Sequence, residues 1–283
     1  MFNIQQFLFR VGAWVRFYLR AVTKYQVHSP FVFQWITDVL EDDRNYYVFG
    51  AISALRNRIL MQHAPLRVTD FGAGPSGSLA GNTGPVFRTT TPAEIGKHAT
   101  SDPRQGQMLF KMALLHQPKY VLELGTSLGL GTLYMAHGAP SSAQMITLEG
   151  CPNVAQLARL HLETLDKKRV QVIAGPFEQT LEPALANFPQ LDFVYFDGNH
   201  QEAPTVRYFE QCLPKAHANT VFIFDDVHWS AGMEKAWAAI QQHPKVTLTI
   251  DCGYFACAYF NPEFVEKQHF TIVSSAWKPW KIF

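Results

Sequence analysis

Cysteine is scarce in this chain of 283 residues, and long apolar runs are missing from it. Its four cysteines include no CxxC pair, so we expect neither a disulfide framework nor a cysteine metal site. No run reaches the ~18 apolar residues of a membrane-spanning helix. The N-terminus also lacks the basic segment and apolar block of a secretory signal. We therefore expect a soluble cytoplasmic protein with free thiols.

Excess charge is missing as well. The formal net charge is +1, which gives no overall electrostatic reason to bind nucleic acid. Hydrophobic residues make up 47% of the chain, enough for a sizeable core. One large domain, or a domain with an appendage, is the expectation from length.

Residues 1–60 are predicted to form a helical N-terminal extension. Apolar residues recur there at helical spacing: Val11, Val15, Leu19 and Val22. Basic residues share about a third of the helix circumference: Arg10, Arg16, Arg20 and Lys24. The ordinary interpretation is a solvated face on a helix packed against its own domain. Contact of residues 1–24 with an anionic membrane surface is the less favoured alternative. A break at His28-Ser29-Pro30 precedes a second helix over Phe31–Leu40.

Residues 61–104 are predicted to form a Gly/Pro-rich loop or lid segment, irregular over residues 71–101. The motif Val68–Gly74 within it imitates a strand followed by a glycine turn. It is a weaker candidate for a cofactor turn, because no clearly periodic helix follows it. A lid carrying Arg88 and plain connecting structure remain equal alternatives.

Residues 105–283 show a regular alternation of short apolar strands with helices. This pattern is typical of a parallel sheet covered on both faces. The predicted strands are 119–124, 144–149, 170–174, 191–197, 219–225, 246–251 and 254–260. A tight turn at Cys252-Gly253 makes the last two a hairpin. We predict an α/β fold: a doubly wound, mostly parallel, seven-stranded Rossmann-like sheet with a terminal antiparallel hairpin.

The run Val121–Gly131 is the most informative motif. An apolar strand ends at an acid, Glu123, and a glycine-rich turn leads to a helix beginning near Thr132. Glycine permits sharp turns and close approach of a ligand. The helix start adds unpaired N–H groups and a positive dipole end. Together these features favour a nucleoside-cofactor site at the carboxyl end of a strand.

Acidic residues end four predicted parallel strands: Glu123, Glu149, Asp197 and Asp225. The position of Glu149 suits a carboxylate that accepts hydrogen bonds from ribose hydroxyls. Glu123 lies beside the glycine turn, where a pyrophosphate would be repelled and a sulfonium or ammonium group attracted. This favours S-adenosylmethionine over NAD.

Asp197, Asp225 and Asp226 are expected to converge, and three close carboxylates need a proton or a counter-charge. Mg²⁺ or another divalent cation with oxygen ligands would supply it. In the metal-free alternative, Asp226 caps a helix and Asp197 binds a substrate hydroxyl. His200 and His228 are candidate general bases.

Over residues 98–262 the chain resembles class I S-adenosylmethionine-dependent methyltransferases, and most of all the catechol and caffeoyl-CoA type of O-methyltransferase. The resemblance rests on Glu149 and four motifs: Ser101–Gln107, Leu122–Thr126, Phe196–His200 and Phe224–Trp229.

The resemblance implies a cofactor site and a metal site. The cofactor would contact Ser101, Glu123, Gly125, Thr126, Ser127, Gly131, Glu149, Gly175, Phe177 and Asp197. Glu123 and Gly125 would hold its methionine end, and Gly175 and Phe177 would lie near the adenine. Asp197, Asp225 and Asp226 match the family's metal ligands. The third ligand is usually asparagine, and the usual base is a lysine where this chain has His200.

The predicted activity is S-adenosylmethionine-dependent O-methylation of a small-molecule hydroxyl, with Asp197, His200 and His228 as catalytic residues. Two alternatives stay open. One is an NAD-dependent oxidoreductase, and the other is a non-catalytic cofactor-binding module docked through the basic N-terminal helix. A homodimer is also compatible with the sequence.

Overall fold

A computed structural model of the chain describes residues 4–70, 86–98, 102–165, 167, 169–278 and 280. The chain divides into two compact units. The terminal unit comprises residues 1–43 and 200–283, and the central unit comprises residues 44–199. The boundaries at residues 60 and 104 remain predictions from composition.

The regular elements are numbered in chain order. The α-helices are α1 Ile4–Arg20, α2 Pro30–Trp35, α3 Tyr47–Leu60, α4 Pro92–His98, α5 Pro103–His116, α6 Leu130–Gly138, α7 Pro152–Thr164, α8 Phe177–Ala186, α9 Glu202–Cys212 and α10 Ala231–Gln242. The strands are β1 Leu66–Asp70, β2 Val86–Thr90, β3 Tyr120–Leu124, β4 Gln144–Glu149, β5 Gln171–Ala174, β6 Leu191–Phe196, β7 Ala216–Asp225, β8 Leu248–Asp251, β9 Phe255–Tyr259 and β10 Gln268–Thr271. A π-helical turn, Ile36–Leu40, extends α2.

The central unit contains the predicted parallel strands in the order β6-β3-β4-β5. All three pairings are parallel, and Leu122 of β3 lies opposite Ile146 of β4 and Val194 of β6. Strand β3 is almost wholly buried, as its apolar sequence requires. Because these strands run parallel, their carboxyl ends share one edge, and Glu123 and Glu149 lie at that edge.

The irregular loop predicted for residues 71–101 is wrong for residues 86–98. Strand β2 pairs antiparallel with β1, and helix α4 follows directly. Val68 therefore belongs to a separate two-stranded sheet and does not begin a βα cofactor unit. Residues 71–85 and 99–101, with Gly72, Gly74 and Ser101, lie outside the described part of the chain.

The strands of the terminal unit lie in the order β10-β8-β9-β7. Strand β9 is antiparallel to both β7 and β8, which confirms the hairpin. Gly253 in its turn has φ +79°, a value that glycine adopts without strain. Strand β10 is an eighth strand beyond the seven expected, and it pairs parallel with β8. Its short sequence, Gln-His-Phe-Thr, carries no clear apolar alternation.

Helix α1 is confirmed, but it packs in an unexpected direction. Ala13 and Phe17 are buried in the terminal unit, whereas Val11, Val15 and Leu19 are exposed. The apolar stripe that indicated a core-facing helix thus points away from the core. No helix in the described ranges is both long and apolar enough to cross a membrane.

The segments after α1 and after β10 are joined. Val22 accepts a hydrogen bond from Val273 N at 3.0 Å, and its own N–H donates to Thr271 O at 2.8 Å. The buried Lys278 ammonium donates to Ala21 O at 2.7 Å. All four cysteines are buried and none forms a disulfide, and burial raises the pKa of Cys252 to about 12.

Candidate functional site

The glycine-rich turn after β3 folds back on the neighbouring strand. Gly125 N and Thr126 N both donate to Leu148 O of β4, and Gly129 N donates to Thr126 O. Three of its residues have positive φ: Gly125 +109°, Ser127 +48° and Gly129 +80°. Several N–H groups expected to face a ligand are therefore bonded to the protein's own backbone.

Gly125 is required by the protein's own packing. A Cβ at this position would lie 2.0 Å from the backbone oxygen of Asp197. Asp197 N in turn donates to Leu124 O at 2.8 Å. The absence of a side chain at Gly125 lets the segment that carries Asp197 close against the end of β3.

Glu123 is buried, with 1% of its surface exposed. The hydroxyls of Thr132 and Thr147 donate to its Oε2 at 2.5 and 2.6 Å. The single proton of Thr147 is thereby used, so the Thr126 hydroxyl is the donor in the 2.5 Å contact between these two threonines. Carboxylate oxygen Oε1 accepts no hydrogen bond from the residues that the structure describes.

Burial raises the pKa of Glu123 to about 7, against its ordinary value of 4.5. The two threonine hydroxyls lower the pKa in part, and the nearby charge of Glu149 raises it further. Near neutral pH the group is therefore divided between its acid and its carboxylate. A cation placed beside Oε1 would favour the carboxylate.

Glu149 holds the glycine turn in place. Its Oε2 accepts from Ser127 N at 2.8 Å and its Oε1 from Cys151 N at 2.9 Å. This contact explains how Ser127 tolerates a positive φ, which non-glycine residues seldom adopt. The ribose contacts of Glu149 remain a prediction.

A small cavity opens beside these groups. Its walls are Glu123, Gly125, Thr126, Ser127, Leu130, Gly131 and Asp197. Its enclosed volume of about 10 Å³ is close to that of one water molecule, so the cavity marks the position of one ligand group and is not a complete ligand site. Six of its seven wall residues belong to the predicted cofactor set, and sequence reasoning missed Leu130.

Gly175 and Phe177 lie past the end of β5. Gly175 has φ +140° and donates its N–H to Glu149 O at 2.9 Å, which ties this segment to the end of β4. The Phe177 ring packs on Gly198, where an added Cβ would lie 2.6 Å from Cε2. An aromatic ring thus lies next to the residue that follows Asp197.

In the terminal unit, Asp225 ends β7 and Asp226 follows it with φ +53°. His200 Nε2 lies 3.8 Å from Asp226 Oδ2. Partial burial and the charge of Asp225 raise the pKa of Asp226 to about 6, while His200 and Arg10 act in the opposite direction. Asp226 does not cap helix α10, because its N-cap is Ser230, which accepts from Met233 N at 3.2 Å.

His228 occupies a different environment from the one predicted. Its Nε2 lies 2.8 Å from Asp251 Oδ2, and its Nδ1 lies 3.3 Å from Glu234 Oε1. Burial alone would lower the pKa of His228, but these two carboxylates outweigh it and raise the pKa. Both ring nitrogens are engaged in this cluster, which argues against a role for His228 as general base.

The predicted metal site was tested on its donor groups. Carboxylate oxygens suit Mg²⁺ chemically. Within the described ranges, however, no group of three or more His, Cys, Asp or Glu side chains is arranged to hold a metal ion. The three predicted ligands do not form such a group in this structure, so no step of the reaction is assigned to a metal.

Comparison with known proteins connects this geometry to a family. Residues 122–227 match the family model described as a methyltransferase domain. The resemblance to class I methyltransferases is confirmed. The matched segment contains the glycine turn, Glu149, Asp197 and the Asp225-Asp226 pair.

Curated relatives include two enzymes named catechol O-methyltransferase. The one from Mycobacterium tuberculosis is 34% identical over 142 residues, which cover 50% of this chain and 62% of the relative. The one from Niastella koreensis is 32% identical over 145 residues, covering 49% and 63%. The chain thus spans just over six-tenths of the length of these relatives.

Solved structures agree on the fold. An O-methyltransferase from Bacillus cereus, in complex with SAH, superimposes with a TM-score of 0.54 at 19% identity, covering 81% of this chain and 97% of that one. A cofactor-bound protein from MTB has a TM-score of 0.51 at 27% identity, covering 58% and 82%. The Rossmann-like α/β fold is therefore confirmed.

Proposed function

We propose that the protein is an S-adenosylmethionine-dependent methyltransferase that methylates a hydroxyl group of a small molecule. The observation that carries this proposal is the cavity beside Glu123. A buried carboxylate faces a glycine turn, in a segment that matches a methyltransferase domain, and one of its oxygens accepts no hydrogen bond from the described residues. Such a group favours a cationic ligand over a pyrophosphate.

The cofactor, when bound, would supply a methyl group activated by its positively charged sulfur. In this proposal Glu123 holds the cationic methionine end, and the turn Gly125–Gly131 encloses it. Glu149 accepts the ribose hydroxyls, and Gly175 and Phe177 border the adenine. Asp197 faces the cavity, where it orients the acceptor hydroxyl. Positioning of this kind supplies much of the rate gain in group transfer.

The acceptor hydroxyl must lose a proton during methyl transfer. We assign this step to His200, because imidazole is the most common proton acceptor in general base catalysis. Asp226, 3.8 Å away, would stabilise the resulting imidazolium. His228 is left out of the mechanism because its nitrogens serve Asp251 and Glu234. Metal dependence stays a prediction, to be tested with EDTA followed by Mg²⁺.

The first test is ligand binding. S-adenosylhomocysteine should raise the thermal midpoint of the protein, whereas NAD and adenosine should raise it less. Calorimetry should show weaker binding to Glu149→Ala than to the wild type. A midpoint shift with NAD alone would contradict the proposal in favour of an oxidoreductase.

The second test is turnover. Catechol is the first acceptor to try, because the two curated relatives carry that name. His200→Gln should lower kcat by ~100-fold at neutral pH, with less loss at alkaline pH, where the acceptor ionises without help. An unchanged pH profile in this variant would remove His200 from the mechanism. Location in the cytoplasm and a homodimeric state remain predictions.

A further inference from the structure

Helix α1 exposes an apolar face. Seven large apolar side chains on it are each at least 43% exposed: Ile4, Phe7, Leu8, Val11, Trp14, Val15 and Leu19. At 100° per residue they lie within an arc of about 140°. The buried Ala13 and Phe17 lie on the opposite side of the helix. The apolar face is therefore presented outward from the terminal unit.

The charged residues of α1 lie on its polar side. The helix contains three arginines and no acidic residue. Arg10 and Arg16 lie on either side of the apolar face, where Arg10 stacks on Trp229 with Cζ 3.2 Å from the ring centre and Arg16 pairs with Glu234 at 3.1 Å. Arg20, at the end of the helix, is exposed and lies opposite the apolar face. An apolar face with a basic polar side is typical of helices that lie in a membrane interface.

Aromatic residues extend the same surface. Trp14 and Tyr18 stack with their ring centres 5.3 Å apart, and the Tyr18 hydroxyl donates to Trp277 O at 2.7 Å. Trp277 is 40% exposed. Tryptophan and tyrosine favour the level of the lipid headgroups, because their rings are apolar and their tips are polar.

We propose that α1 docks the protein in the plane of an anionic lipid bilayer. With 17 residues, the helix would lie about 25 Å along the surface. A second copy of the chain fits the face less well, because α1 is positively charged and offers a second α1 no acidic residue to pair with. This inference is independent of the chemistry proposed at Glu123.

Vesicle co-sedimentation of the full chain tests the proposal. Binding to vesicles of phosphatidylcholine and phosphatidylserine should exceed binding to phosphatidylcholine alone. The double variant Leu8→Gln/Leu19→Gln should lower the partition coefficient at least ~10-fold, because two side chains lose their burial in lipid. Arg20→Gln should change binding by less than ~2-fold, because Arg20 lies on the side of the helix away from the bilayer and charge attraction to the lipid falls off with distance.

Val265→Gln is the matched control, since Val265 is 92% exposed in the same unit and lies outside this face. It should bind vesicles like the wild type. All variants should keep the wild-type unfolding midpoint, because the altered side chains are exposed. Absence of binding to both kinds of vesicle would overturn the proposal. An equal loss of binding in Val265→Gln would overturn it too. The proposal would also fail if sedimentation velocity showed a dimer that dissociates only in the Leu8→Gln/Leu19→Gln variant and that does not bind vesicles.

Discussion

The turn around Glu123 and helix α1 both reverse the usual placement of charged and apolar groups. The central unit buries a carboxylate at the end of β3, and the terminal unit exposes seven large apolar side chains on α1. Burying an ionised group without compensation is costly, and exposed apolar patches mark contact sites.

The two regions differ in what compensates the unfavourable free energy of this placement. Hydroxyls of Thr132 and Thr147 stabilise Glu123 from inside the fold, and a proton neutralises it in part. The seven apolar side chains of α1 instead stay at least 43% exposed in the described part of the terminal unit. We interpret the first reversal as preparation for a ligand and the second as preparation for a surface from outside the molecule, as the two proposals above state.

The largest effect is expected at Asp197. Asp197→Ala should reduce methyl transfer at least ~100-fold, because the acceptor loses its positioning carboxylate. Release of S-adenosylhomocysteine with an acceptor that the wild type methylates is the measurement. Asp197→Asn keeps the shape of the side chain and should be equally inactive at an unchanged unfolding midpoint. Retained activity in either variant would remove the carboxylate from the mechanism.

Gly125→Ala tests whether the backbone of the glycine turn after β3 can tolerate a side chain at this position. The added Cβ would meet Asp197 O at 2.0 Å in a backbone with φ +109°. We expect a loss of ~2–4 kcal/mol in the free energy of unfolding. Gly50→Ala, in helix α3 with open space around it, should instead gain ~0.5–1 kcal/mol. Denaturant unfolding of both variants measures the two changes in the free energy of unfolding. Similar changes for Gly125→Ala and Gly50→Ala would show that the turn can relax around the added methyl group.

Glu123→Gln sharpens the comparison through pH. Because the folded pKa of Glu123 is about 7, wild-type affinity for S-adenosylmethionine should rise up to ~10-fold from about pH 6 to pH 8 as the carboxylate forms. The glutamine variant should bind weakly and without this dependence. Calorimetry at three pH values measures it. If the affinity of the glutamine variant still changed with pH, a group other than Glu123 would be responsible for the pH dependence.

The same group affects stability with a defined sign. The folded pKa of Glu123 is raised above 4.5, because the fold favours its protonated form. Its favourable contribution to the free energy of unfolding is therefore fully present below about pH 4.5 and is lost as pH rises through about 7. Unliganded Glu123→Gln should therefore be more stable than the wild type at pH 8, by ~2–3 kcal/mol. Equal stability at that pH would contradict the burial of the charge.

The smallest effect is expected at Glu234, which pairs with Arg16 of α1 and with His228. Glu234→Gln should cost ~0.5–1 kcal/mol at about pH 6, since the groups are partly exposed. The pKa of His228 is raised above 6.5, so this contribution is complete below that value and is lost as pH rises through the folded pKa. Glu266→Gln, an exposed acid of the same unit, is the control, and an equal loss there would mean that the pairing adds nothing.

Much of the central unit could be predicted from the sequence. Alternation of short apolar strands with helices predicted β3, β4, β5 and β6 correctly, and the acids at the ends of β3, β4 and β6 marked the relevant edge. The role of Thr132 and Thr147 escaped prediction, although a threonine inside the apolar strand β4 and another early in α6 were visible signals. Sequence spacing alone does not show that two hydroxyls converge on one carboxylate oxygen.

The errors have physical reasons. Helical periodicity identifies an apolar stripe on α1, but it does not say whether that stripe faces a core or a membrane. Strands β2 and β10 depend on pairing with distant segments, which overrides their weak local pattern. His228 looked like a base because it follows Asp226 closely, whereas its partner Asp251 is 23 positions further along.

The hydrogen bonds that join Val22 to Thr271 and Val273 affect the order in which the two units can fold during translation. Residues 44–199 form a continuous segment, so the central unit has all its strands before residues 200–283 are translated. The terminal unit is complete only after residues beyond 270 leave the ribosome, because Val22 bonds to Thr271 and Val273. We therefore expect folding during synthesis to begin in the middle of the sequence, with the contacts of Val22 forming last.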